Sequence, residues 1–127
     1  MMDVLIESTK KFEKDLKNLT NTERSITVKK INDCAALLPN HQFNYRKLRR
    51  MPLSSALKGY ESSLYTLKVS QKLRVILAVD EDPIFDQFIL TLFRVVKWDE
   101  IDQVYQSIAE SLYQEIRHHE RELTEIS

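Results

Sequence analysis

The sequence predicts an α+β domain: a small antiparallel-rich sheet (an N-terminal strand plus a three-strand meander), with an α-helical hairpin on one face and a long C-terminal helix. Three observations lead there. Two early segments repeat apolar residues every three to four positions, and a proline closes the second. Three segments between residues 64 and 96 carry strand spacing. After residue 99 the spacing turns helical again and holds almost to the end. Residues 1–127 read as one domain, with a helical extension from about 106 to 127.

Residues 3–8 are rich in β-formers and predict a short strand. Thr9 or Ser8 can cap a helix starting near Lys10, with Phe12, Leu16 and Leu19 as its apolar stripe. Asn21 or Thr22 can cap a second helix, with Val28, Ile31, Ala35 and Leu38 as its stripe and Pro39 as its stop. A joint of about three residues makes the pair a hairpin. Residues 40–63 predict an irregular basic stretch broken by Pro52, Ser54, Ser55 and Gly59.

In residues 64–70, Tyr65, Leu67 and Val69 share one face, and Thr66 and Lys68 the other. In residues 72–80, Leu73, Val75, Leu77 and Val79 oppose Arg74, Ile76 and Ala78. Asp80 to Pro83 predicts a tight turn, and residues 85–96 a strand apolar on both faces, hence central. Asp99 can cap the last helix, whose stripe is Ile101, Val104, Tyr105, Ile108, Leu112 and Ile116. A helix of about 27 residues spans roughly 40 Å, more than so small a domain needs. Its charged end can project, fray or meet a partner.

Composition excludes several classes. With 43% apolar and 30% charged residues, the chain can build a core. One glycine, Gly59, excludes a Gly-rich phosphate loop. One cysteine, Cys34, excludes a disulfide or a CxxC site, predicts a buried thiol and fits a reducing compartment. Apolar runs of about six residues fall well short of the ~20 a membrane helix needs. The N-terminus lacks the basic start and long apolar stretch of a signal peptide, so a cytoplasmic protein without membrane contact is expected.

Lys and Arg total 19, as do Asp and Glu, so the formal net charge is zero. The distribution is not neutral. Residues 1–41 carry +1, residues 42–75 carry +7 and residues 76–127 carry −8. Local potential steers association, and the total does not. The basic stretch Arg46, Lys47, Arg49 and Arg50, interleaved with Phe43 and Tyr45, suits an RNA backbone. A solvated loop is the competing reading.

The order of elements and several short motifs resemble the RelE/ParE superfamily, the toxins of type II toxin–antitoxin systems. Arg46-Lys47-Leu48 resembles the family's approach to the meander, and Leu57-Lys58-Gly59 its L-x-G turn. Residues 64–69 and 72–80 resemble its two middle strands, and Gln103-Val104-Tyr105 its late V-Y motif. For a RelE-like member the resemblance implies a metal-independent endoribonuclease, an mRNA interferase. Such a toxin cuts messenger RNA in the ribosomal A site by attack of the 2′-hydroxyl on the adjacent phosphate. Its implied partners are the ribosome, messenger RNA and a cognate antitoxin, with no cofactor. A ParE-like member would instead poison DNA gyrase without nuclease activity, and a third alternative is a non-toxic homologue that binds an antitoxin. The acidic tail adds the expectation of a homodimer through the C-terminal helix.

The resemblance implies Lys68, Arg74 and Tyr105 as catalytic residues. The residues themselves support part of this, because phosphoryl transfer needs cations around the non-bridging oxygens. Lys68 and Arg74 share one face if their strands pair as a hairpin, and the planar Arg fork suits a phosphate. An exposed strand arginine paired with Asp80 or Glu81 is the alternative. For Tyr105, base stacking competes with packing, because the residue lies on the apolar stripe. Arg46, Lys47, Arg49, Arg50, Lys72 and Lys97 are the expected RNA-binding residues. The stretch Lys97-Trp98-Asp99-Glu100-Ile101-Asp102 departs from the family pattern, with three acids after one cation, and Thr66 stands where a second Lys is found. Trp98 is expected to close the core, with stacking as its alternative. His41, His118 and His119 lack metal-site spacing, and no metal is expected.

Overall fold

The computed structural model describes residues 3–39, 48–51 and 63–126, with side chains through residue 115. Strand β1 (Asp3–Ser8) is followed by helices α1 (Lys10–Lys17) and α2 (Asn21–Leu37) and the two-residue strand β2 (Leu48–Arg49). Strands β3 (Leu64–Lys68), β4 (Leu73–Asp82) and β5 (Gln87–Lys97) lead to helix α3 (Ile101–Ile126). The strands form one sheet in the order β1-β5-β4-β3-β2. β1 runs parallel to β5, and the other pairings are antiparallel. The expected α+β architecture is therefore present.

The period of two in β4 sorts the core into two layers. Val75, Leu77 and Val79 pack with Phe12, Ile31, Cys34 and Leu38 of the helical hairpin. Ile76, between them, packs with Leu64, Val96, and Tyr105 and Ala109 of α3. The hairpin and α3 thus cover opposite faces of the sheet. β4 is central and buried on both sides, as its near-continuous apolar run requires. A register shift at Ile76/Leu77, with Phe93 as the extra residue, lets β5 keep both Leu92 and Val95 on the hairpin side while Phe93 and Val96 face α3.

Local chemistry sets the element ends. The Thr9 side chain caps α1 by accepting from Phe12 N–H at 3.1 Å, and its hydroxyl donates to the Phe93 carbonyl at 2.9 Å. Thr20, not Asn21 or Thr22, caps α2. Its hydroxyl accepts from Glu23 N–H at 3.1 Å, while the Glu23 carboxylate accepts from Thr20 N–H at 3.0 Å, a reciprocal capping box. Those bonds hold the Glu23 carboxyl below its ordinary range. Arg24 reaches back to the carbonyls of Leu16, Lys17 and Leu19, filling acceptors that the end of α1 leaves open.

Several expectations change. Val28 is exposed, and the buried face of α2 runs through Thr27, Ile31, Cys34, Ala35 and Leu38. Thr27 tolerates burial because its hydroxyl donates to the Glu23 carbonyl at 2.8 Å. Strand β4 continues through Asp82, so the turn falls later than Asp80 to Pro83. The Asp82 carboxylate accepts from the N–H groups of Ile84 and Phe85, and Asp86 takes the left-handed φ of 50°. Leu48 and Arg49 pair with Leu67 and Thr66, inside a stretch expected to be irregular. The first bond of α3 runs from Val104 N–H to the Glu100 carbonyl, which puts Glu100, not Asp99, at the half-in position.

Candidate nucleic-acid interface

β3 and β4 pair antiparallel with Lys68 directly opposite Arg74. Directly opposed residues point to the same face. Thr66 lies opposite Ile76 in the same ladder, so Lys68 and Arg74 belong to the face that carries α3. Lys68 is exposed and Arg74 half-buried. The Arg74 guanidinium is turned over the β3–β4 connection, where one terminal nitrogen donates to the Ser70 carbonyl, to Leu73 O at 3.0 Å and to Gln71 O at 3.4 Å. Among the described residues neither Lys68 nor Arg74 forms an ion pair, so Arg74 is not tied to Asp80 or Glu81.

Arg49 extends this face. It stands opposite Thr66 on β2 and is exposed, and Thr66 donates to its carbonyl at 3.1 Å. Thr66 and Lys68 are two apart on β3, so Arg49, Lys68 and Arg74 form a cationic row from β2 to β4. Arg50 faces elsewhere. It donates to the Tyr65 hydroxyl at 3.0 Å and stacks 5.0 Å from the Tyr65 ring centroid, and Tyr65 packs with the hairpin-side core. Lys72 and Lys97 are exposed at the end of β4 and β5, where both act on the Glu23 carboxylate at the start of α2. Arg46 and Lys47 lie outside the described residues, as does His41; the side chains of His118 and His119 do too.

Tyr105 does not join the row. It is 1% exposed, and its hydroxyl donates to the Leu64 carbonyl at 2.7 Å. Burial pushes its ionisation above the ordinary tyrosine range. The structure puts this ring between α3 and the sheet, the packing position that its apolar stripe also allowed. Trp98, expected in the core, is instead 59% exposed. Its backbone N–H donates to the Lys72 carbonyl at 2.8 Å, one step past the Leu73–Lys97 pair.

Three acidic side chains, Asp99, Glu100 and Asp102, are exposed beside this end of the sheet. Among the described residues no cluster of three or more His, Cys, Asp or Glu could hold a metal ion. Among them, too, no helix is long and apolar enough to cross a membrane.

No family model matches the chain, and no curated protein matches it. Solved structures do. A chain of the archaeal RelE–RelB complex from Pyrococcus horikoshii OT3 aligns with a TM-score of 0.50 and 13% identity, over 76% of this chain and 96% of that one. A chain of the RelB–RelE antitoxin–toxin complex from Methanococcus jannaschii aligns at 0.49 and 20% identity, over 77% and 96%. The Pyrococcus match gives this chain a RelE-like fold.

Proposed function

We propose that the chain is the toxin of a type II toxin–antitoxin module, a RelE-like mRNA interferase that cuts messenger RNA in the ribosomal A site. The carrying observation is the Lys68–Arg74 pair, set directly opposite on one face and without a carboxylate partner among the described residues. Two cations so placed can flank one phosphodiester. The RelE-like fold supports the reading, since its Pyrococcus match was solved as a complex with RelB. A cognate antitoxin is accordingly the expected protein partner, and the cytoplasm the expected compartment.

In the proposed reaction the 2′-oxygen bonds to phosphorus as the bond from phosphorus to the 5′-oxygen breaks. The products are a 2′,3′-cyclic phosphate and a free 5′-hydroxyl. The 2′-hydroxyl loses a proton and the 5′-oxygen gains one, so no water is consumed. Arg74 cannot surrender a proton and therefore neutralises charge on the non-bridging oxygens. Proton movement falls to Lys68, the other member of the pair. Arg49, Lys72 and Lys97, with Arg46 and Lys47, hold the RNA backbone. Tyr105 packs α3 onto the sheet that presents the pair.

Induced expression in cells, with mapping of RNA ends, tests this. Growth arrest with new message ends is expected, lost in Arg74→Ala at equal soluble protein. Arrest with intact message and gyrase-dependent DNA breaks would support the ParE-like alternative.

A further inference from the structure

We propose that the exposed indole of Trp98 is a stacking platform for one base of a single-stranded RNA whose phosphates lie along Arg74 and Lys68. The proposal rests on the ribonuclease reading above and adds the element that grips a base. Trp98 is 59% exposed, in a chain where other core-sized residues at this end, such as Val95 and Val96, are buried. Tryptophan is usually largely covered, and what makes this exposed indole a candidate contact is its position next to the cationic row.

Its place is fixed by backbone pairing. The Leu73–Lys97 and Arg74–Val96 pairs end the β4–β5 ladder, and the Trp98 N–H bond to the Lys72 carbonyl extends it by one residue. Trp98 therefore stands across from Lys72 and diagonal to Arg74. Diagonal neighbours on adjacent strands are about 7–8 Å apart, within reach of aromatic and long side chains. The row that starts at Arg49 and passes through Lys68 and Arg74 thus reaches an exposed ring on β5's trailing residue. Cations hold phosphates and a flat ring holds a base, the combination single-stranded RNA requires. The acids Asp99, Glu100 and Asp102 follow at once, bounding the anion-binding surface on that side.

Trp98 is the sole tryptophan of the chain, so its fluorescence reports on this position alone. The full-length protein is titrated with a 2′-O-methyl oligoribonucleotide, which binds without being cut, and with inorganic polyphosphate of equal charge. Saturable quenching by the oligonucleotide is expected, without matching quenching by polyphosphate. Trp98→Ala should weaken oligonucleotide binding by about fivefold to a hundredfold, and Trp98→Phe should retain most of it. As an exposed residue, Trp98 can be replaced with little effect on folding. If Trp98→Ala binds as tightly as the parent while Arg74→Ala loses binding, the stacking proposal fails and the cationic site stands. Equal quenching by polyphosphate also overturns stacking. If the parent protein binds no oligonucleotide, the stacking proposal fails, and the nuclease reading is decided separately by cutting on ribosomes.

Discussion

Tyr105 of α3 donates its hydroxyl to the Leu64 carbonyl of β3 across 2.7 Å of buried interface. The bond crosses 41 residues of sequence and fixes α3 on the sheet face that also carries Lys68 and Arg74. A tyrosine in such a place is a fastener. Its catalytic assignment from sequence rests on the same V-Y spacing that, in three dimensions, aims the ring inward.

Tyr105→Phe should destabilise the fold by about 1–2 kcal/mol, because the Leu64 carbonyl loses a buried donor. Cleavage per folded molecule should stay within about twofold of the parent. Chemical denaturation and a ribosome cleavage assay on the same samples measure both. The pH dependence has a definite sign. Burial raises this hydroxyl's ionisation in the folded state, so its stabilising contribution is full below the ordinary value of 10.0 and falls as pH rises beyond it. Tyr105→Phe should flatten that alkaline loss.

The Asp15 carboxylate accepts from Arg94 at 2.6 and 3.1 Å and from Val95 N–H at 3.0 Å. β1 pairs with β5 only as far as Leu92, so Asp15 covers the stretch of β5 edge where the neighbouring strand has ended. Asp15 also holds the Arg94 guanidinium more firmly protonated. Asp15→Ala should cost about 1–3 kcal/mol, leaving a partly buried N–H and guanidinium without their acceptor. Asp15→Asn keeps an oxygen for Val95 and should cost less. Urea midpoints at constant slope discriminate the two.

The capping box makes a prediction at acid pH. Glu23 is held below its ordinary value of 4.5 by its bonds to Thr20. Its stabilising contribution is therefore present above that value and lost as pH falls through the lower, folded one. Thr20→Ala should cost about 1 kcal/mol near neutral pH and weaken that acid dependence. Thermal melts between pH 3 and 7 give the measurement.

The parts of this fold that follow from short-range chemistry were legible in the sequence. Alternation alone placed Leu73, Val75, Leu77 and Val79 on one face of β4, and the structure packs all four in one core layer. Lys68 and Arg74 could be paired in advance because they flank a short connection, where register leaves little freedom. Most of what failed depended on distant partners. Val28 was expected on the buried stripe of α2, but Thr27 takes that place, because its hydroxyl is satisfied by the Glu23 carbonyl one turn back. Leu48 and Arg49 are too short a strand to show a period; only β3 beside them makes them one. Trp98 carried no signal of exposure, since a large apolar residue after a strand normally closes a core. The side of the sheet that α3 covers was likewise unreadable, because its stripe fits either face.

The loss of function on removing the cationic pair can be made specific. Lys68→Ala removes an exposed cation and should move folding stability by less than about 1 kcal/mol. Arg74→Ala also removes the bonds to the Ser70, Gln71 and Leu73 carbonyls and should cost about 1–3 kcal/mol, so its activity is compared per folded molecule. Cleavage should fall by about a hundredfold or more for Arg74→Ala, in keeping with the loss of one preorganised charge at a phosphoryl centre. Lys68→Arg should restore binding more than turnover, because arginine supplies charge but exchanges no proton.

The most direct measurement combines the purified protein with ribosomes paused on a defined message and identifies the ends of the RNA. The expected result is a cut within the A-site codon, a 2′,3′-cyclic phosphate on the upstream fragment, a 5′-hydroxyl on the downstream one, and at least about a hundredfold less cutting with Arg74→Ala. Intact message after incubation with stoichiometric folded protein, or equal cutting by the parent and Arg74→Ala, would contradict it.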